Sequence, residues 1–96
     1  MIRHIVFFAV KDTKDLETVY DGLCLLSGIN EFIHFEVGRN IRIDDISPDA
    51  PDFIVYTEFA DKEQMERYKK HPLYQESIRI VRPLRDMRIV ADFFSS

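Results

Sequence analysis

The chain has a single cysteine and no tryptophan, and only three glycines and four prolines among its 96 residues. One thiol, Cys24, excludes an internal disulfide framework. On an expected helix with no basic neighbour in sequence it reads as a small core residue rather than a nucleophile. No apolar run approaches the ~20 residues that cross a bilayer. The opening MIRHIVFFAV meets charge at once after a short apolar run, unlike a secretory signal. A cytoplasmic protein with no membrane partner is therefore expected. Positive charge is also short, with 13 Lys and Arg against 17 Asp and Glu and a net charge of −4. Neutralising a phosphate backbone takes clustered basic residues, so nucleic acid is not an expected partner. His4, His34 and His71 are scattered without ligand spacing, so neither a metal site nor another cofactor is expected.

What the chain does have is aromatic and β-branched side chains. Eight Phe and four Tyr must supply much of the core. At this length a single domain, residues 1–96, is expected, and its core is marginal unless something else buries more surface. The most informative stretch is Asp52 to Tyr74. Phe53, Ile54, Val55, Tyr56, Thr57 and Phe59 suit a pleated, buried strand. Asp61 and Gln64 have the spacing of a capping box, which starts a helix at Lys62. Met65 and Tyr68 share one face of that helix, and Glu63/Arg67 and Glu66/Lys70 are expected ion pairs on the wet side. Pro72 ends the helix and can open the next. Tyr68, His71 and Tyr74 therefore gather at a forced bend.

Along the rest of the chain, Ile2 to Val10 reads as a strand with Ile2, His4, Val6, Phe8 and Val10 on one face and Ile5, Phe7 and Ala9 on the other. Thr13 is the expected N-cap of a helix striped by Leu16, Val19, Tyr20, Leu23 and Leu26 and ended by Gly28. Gly22 inside it implies a close backbone approach. Phe32 to Ile43 reads as an edge strand with Phe35, Val37 and Ile41 inward, followed by an acidic loop from Asp44 to Pro51. Tyr74, Ile78 and Val81 mark a short helix closed by Pro83. Arg85 to Phe94 is the last strand, with Met87, Ile89, Ala91 and Phe93 on one side and Arg88, Val90, Asp92 and Phe94 on the other.

This βαββαβ order implies an α+β, ferredoxin-like fold, a four-stranded antiparallel sheet with helices on one face. Three strands are apolar on both sides. A monomer would expose Ile5, Phe7, Ile54, Tyr56, Ile89 and Phe93 together, more than monomers usually tolerate. An isologous homodimer through that open face is the simplest remedy.

The segments Ile2 to Phe8, Gly38-Arg39-Asn40, Asp52 to Phe59, His71-Pro72 after Tyr68, and Val90-Ala91-Asp92-Phe93 together make the sequence resemble the stress-responsive A/B barrel domain, one of the dimeric α/β barrel proteins. The resemblance covers almost the whole chain. It implies two sheets packed across a two-fold axis. It also brings a family that spans plant stress proteins, many bacterial proteins and a polyketide cyclase. In the cyclase a tyrosine before the His-Pro and a histidine two residues after the Pro act as acid and base. The first maps to Tyr68, whereas the second position holds Tyr74. Tyrosine, with an ordinary pKa near 10, is a poor base at neutrality.

His4 faces the expected pocket and has two readings, a core histidine bonded to the backbone or the proton carrier that replaces the missing base. Tyr68 and Tyr74 join it as catalytic candidates. Val6, Phe8, Val55, Thr57, His71 and Arg88 are the expected ligand-binding residues, with Arg88 attracting a carboxylate or enolate. His71 also suits a helix cap. Arg79, Arg82 and Arg85 read as a solvated face. RNA-binding modules share this topology, but the third strand lacks their glycine and basic residues. The expected function is that of a homodimer binding a small hydrophobic, aromatic or keto-acid ligand between sheet and helices. The alternatives are a cofactor-free lyase, isomerase or cyclase, and a cofactor-free monooxygenase, for which the usual tryptophan is missing.

Overall fold

Alternating apolar residues give the chain the strands of one sheet. The structure, a computed structural model, describes residues 1–41 and 49–96. Strand β1 spans Ile2–Val10, β2 His34–Arg39, β3 Phe53–Phe59 and β4 Arg85–Phe94. They pair antiparallel in the order β2-β3-β1-β4. Between them lie helices α1 (Leu16–Cys24), α2 (Lys62–Lys70) and α3 (Pro72–Val81). This is the expected ferredoxin-like order. Ile2, His4, Val6 and Phe8 of β1 and Phe53, Val55, Thr57 and Phe59 of β3 are buried on one face. Val19, Leu23, Leu26, Tyr68 and Val81 meet them from the helical layer.

Local chemistry departs from expectation at several points. The chain turns before α1 through a 3-10 segment, Thr13–Asp15, whose cap is Asp12 rather than Thr13. The Lys14 amide donates to Asp12 at 3.0 Å, so the aspartate one residue earlier takes the role. Gly28 closes a second 3-10 turn, Leu25–Gly28, but the left-handed residue is Asn30, with φ 60°. Its side chain donates to the Gly28 carbonyl at 3.3 Å, the local bond that lets asparagine tolerate this region. Strand β2 is an edge strand, as expected, but it stops at Arg39, and Ile41 is exposed rather than inward. The Asn40 amide bonds the Asp52 carbonyl and its side chain bonds the Pro51 carbonyl, which ends the alternation four residues before the expected end at Ile43. Arg42 and Ile43, expected to end that strand, and residues 44–48 of the acidic loop lie outside the described residues.

The α2–α3 region follows its sequence closely. The Gln64 amide donates to Asp61 at 2.8 Å, while the Gln64 side chain accepts from the Ala60 amide at 2.7 Å, so the capping box reaches back one residue further than expected. Arg67 pairs with Glu31 at 3.0 Å instead of with Glu63, which ties α2 to the segment before β2. The Glu66/Lys70 pair likewise does not form. His71 is extended (ψ 142°), as a residue before proline should be, and α3 starts at Pro72.

On the other face of the sheet, register sets Ile54 beside Phe7 and Phe7 beside Ile89, while Tyr56 flanks Ile5 and Ile5 flanks Ala91. Ile89 and Phe93 are about half exposed there. Arg3 donates to the Tyr56 hydroxyl at 2.9 Å, and that hydroxyl donates to Glu58.

The close approach implied by Gly22 is made by α3. A β-carbon at Gly22 would stand 2.9 Å from Ile80 Cγ2 and 3.0 Å from Val81 Cγ2, both on branched side chains that cannot swing aside. Gly22→Ala gains up to about 1 kcal/mol of helix propensity but overpacks the α1–α3 contact at about 1–3 kcal/mol. Urea unfolding of the variant should show a net loss of about 1 kcal/mol; a gain in stability would contradict this packing.

Candidate functional site

Strand β1 delivers a histidine into an otherwise apolar layer. His4 is 3% exposed and sits between Thr57 of β3 and Asp92 of β4 in the sheet register. Its Nδ1 is hydrogen-bonded to the Asp92 carboxylate. Burial pulls the His4 pKa below its ordinary value, and the Asp92 hydrogen bond and charge only partly restore it. Lys69 and Arg88 lower it further. His4 is therefore neutral at neutral pH. Against a carboxylate, the neutral ring carries its proton on Nδ1, which donates, and Nε2 keeps its lone pair with no protein partner among the described residues.

His4 lines a cavity of about 270 Å³ between the sheet and the helices. Val6, Phe8 and Val55 form its sheet wall, and Leu23, Leu26 and Val81 form much of its helical wall. Tyr68 and Tyr74 enter from either side of the Pro72 bend. Tyr68 is held edge-on between Phe59, at 5.1 Å, and Tyr74, at 5.4 Å, and Phe59 also packs against His4. Burial, and to a lesser degree Tyr74, raises the Tyr68 pKa well above its ordinary value, with Thr57 and Arg88 opposing. The phenol stays neutral and can donate but not act as a base.

Two expected ligand residues fall elsewhere. Thr57 is fully buried beside His4 without lining the cavity, and its hydroxyl has no hydrogen-bond partner. It lies near enough to oppose the rise in the Tyr68 pKa, yet its hydroxyl forms no well-aligned hydrogen bond with the phenol. His71 is also absent from the lining. Its Nδ1 accepts from the Leu73 amide at 3.1 Å and caps α3.

Arg88 lines the cavity, and so do Arg82 and Arg85; Arg82 is exposed, as a solvated face requires, whereas Arg85 is half-buried. The α3–β4 turn brings Arg82 back to the sheet, and the β-bulge opposite Ala9 and Val10 shifts the register where Arg85 pairs. Burial, then Arg88 and Arg82, lower the Arg85 pKa, although the group stays charged. Sequence reasoning missed Asp92 as a partner. The available signal was a carboxylate on the same face of β4 as Arg88, on a strand otherwise apolar on that side. The cavity brings together an oriented neutral imidazole, a neutral phenol and three guanidinium groups. Among the described residues no group of His, Cys, Asp and Glu could hold a metal ion, and no helix is long and apolar enough to cross a membrane.

Residues 2–95 match the stress responsive A/B barrel domain family. No curated protein matches the sequence. Among solved structures, the chain is 29% identical to a Dabb family protein with a ferredoxin-like fold from Mesorhizobium loti, covering 99% of this chain and 96% of that one at a TM-score of 0.78. It is 25% identical to a dimeric ferredoxin-like protein of unknown function from Thermobifida fusca, covering 96% and 88% at a TM-score of 0.78. At 18% identity it also resembles, in fold alone, a candidate antibiotic biosynthesis monooxygenase from Nitrosomonas europaea, covering 99% and 98% at a TM-score of 0.78.

The His4 environment makes a signed prediction. An NMR titration of the ring should give a pKa below the ordinary 6.5. Asp92→Asn removes the negative charge that raises it and leaves at most a weaker, neutral hydrogen bond, so the value should fall further. The same shift links to folding. Stability from His4 is full above 6.5 and declines as pH falls toward the folded pKa, because the unfolded ring takes its proton first. A wild-type value at or above 6.5, or a rise in Asp92→Asn, would contradict the arrangement.

Proposed function

Because the chain belongs to the stress responsive A/B barrel domain family, we propose that it works as a homodimer in which each protomer binds a small, hydrophobic, anionic carbonyl compound between sheet and helices. There it moves a proton next to the carbonyl without a cofactor. The observation that carries this reading is His4 on the cavity wall, its Nδ1 fixed by Asp92 and its Nε2 unengaged, with the Tyr68 phenol lining the same space. In the forward step Nε2 takes a proton from the carbon beside the carbonyl. The C–H electron pair moves into the new enolate, whose oxygen accepts a hydrogen bond from Tyr68. Asp92 stabilises the imidazolium that forms. Return of the proton to carbon or oxygen regenerates neutral His4. Arg88 would hold a substrate carboxylate by a two-pronged contact, and Tyr74 keeps Tyr68 in position.

Deuterium uptake from solvent into a panel of aromatic keto acids, followed by NMR, tests the chemistry. His4→Asn should slow exchange by about 10²–10⁴-fold, and Tyr68→Phe by up to about 10²–10³-fold with the fold unchanged. Binding with exchange that is indifferent to His4 would leave a ligand-binding protein and remove the enzyme.

Self-association is supported by the outer face, where Ile5, Phe7, Ile54, Tyr56, Ile89 and Phe93 form one apolar patch, and by a solved relative that is described as dimeric. A specific interface here should bury at least about 1,200 Å². Ile54→Asp would place an unpaired carboxylate at its centre, a loss of about 3–5 kcal/mol by analogy with broken buried pairs. Sedimentation should show a dimer for the wild type and none for the variant; a wild-type monomer at micromolar concentration would overturn the dimer.

A further inference from the structure

Proton transfer at His4 uses only one of the three guanidinium groups that line the cavity. Arg82 follows α3, and Arg85 and Arg88 lie on β4. Arg3, Arg39, Arg67 and Arg79 each have a carboxylate partner. Among the described residues Arg82, Arg85 and Arg88 have none, in a chain whose net charge is −4. Arg88 and Arg82 both disfavour the charge on Arg85. Their positions are graded. Arg88 is near enough to act on both His4 and Tyr68, whereas Arg85 is influenced by Arg88 and Arg82. In the register Arg88 stands opposite Phe8 and Asp92 opposite His4, four residues apart, or roughly 13 Å along the strand. The walls between are apolar, Val6, Val55 and Val81 among them.

We propose that Arg82 and Arg85 form a phosphoryl-binding subsite at the cavity mouth, so that the ligand carries a phosphate at the end remote from the carbonyl on which His4 acts. This rests on the cavity being the ligand site, as argued above. One carboxylate or enolate oxygen at Arg88 leaves two guanidinium charges unmatched. A phosphate monoester brings about −1.5 to −2 charges and three acceptor oxygens, and planar guanidinium forks suit it. The cavity, about 270 Å³, is near the lower end of the roughly 300–1,000 Å³ of small-molecule sites. It holds a small apolar body, with the charged head at the mouth where Arg82 is exposed.

Calorimetric titration of the full chain with phenyl phosphate and with benzoate at low salt tests the subsite. Phenyl phosphate should bind about tenfold or more tightly than benzoate, the effect of one added charge-assisted hydrogen bond. In the double variant Arg82→Met, Arg85→Met, which keeps the apolar stems, that preference should vanish, and in His4→Asn it should persist. Equal affinity for the two probes, or a preference that survives the double variant with its fold intact by circular dichroism, overturns the proposal. Phosphate preference without His4-dependent exchange supports the subsite and removes the proton-transfer reading. Exchange without phosphate preference does the reverse.

Discussion

Strand β1 is paired on both sides, to β3 and to β4, and its register is the constraint on which everything else rests. Side chains alternate with a period of two, so a slip of one residue would turn Ile2, His4, Val6 and Phe8 outward together. The helix-facing side would then carry Arg3, Ile5 and Phe7, and a guanidinium would enter the core. In the native register His4 lies between Thr57 and Asp92, and a buried ring that would otherwise lack a partner gains a carboxylate. That pairing joins residues 88 apart in sequence, so the candidate site exists only once the sheet is complete.

Burial then sets the chemistry of both candidate groups at once. Removing water disfavours the charged form of each, which lowers the pKa of His4 and raises that of Tyr68. The two shifts run in opposite directions and have the same result, since both groups are neutral near pH 7. A lone pair on His4 and a proton on Tyr68 therefore coexist on the wall of one cavity. Asp92 acts mainly as an orienter, because its influence on His4 is outweighed by desolvation. The helical layer completes the enclosure. Gly22 lets α1 and α3 approach closely, and the Pro72 bend turns Tyr68 and Tyr74 toward each other.

Elements whose cause is local were legible in the sequence. Asp61 and Gln64 started α2 at the expected residue, Pro72 ended it and opened α3, and Gly22 announced a tight contact before α3 was placed. Strands β1 and β4 have the expected bounds because alternation is itself a local signal. The sequence misled where two local solutions competed, as with Asp12 against Thr13 for the cap. The larger omissions were non-local. Nothing near Asp92 in sequence says that it meets His4, and nothing near Arg82 and Arg85 says that a turn and a bulge return them to a cavity. Arg67 made the same point by choosing Glu31 over the nearer Glu63. Distances set by strand register and by ends of elements cannot be read from spacing along the chain.

The proposed chemistry depends on a neutral His4 fixed by Asp92, with its other nitrogen free to take a proton. Long-range proton–nitrogen correlation spectra of the imidazole ring at pH 7.5 report the tautomer directly. The account predicts a protonated Nδ1 and an unprotonated Nε2, with Asp92→Asn perturbing the Nδ1 signal. A ring protonated on Nε2 alone, or on both nitrogens at that pH, would contradict it.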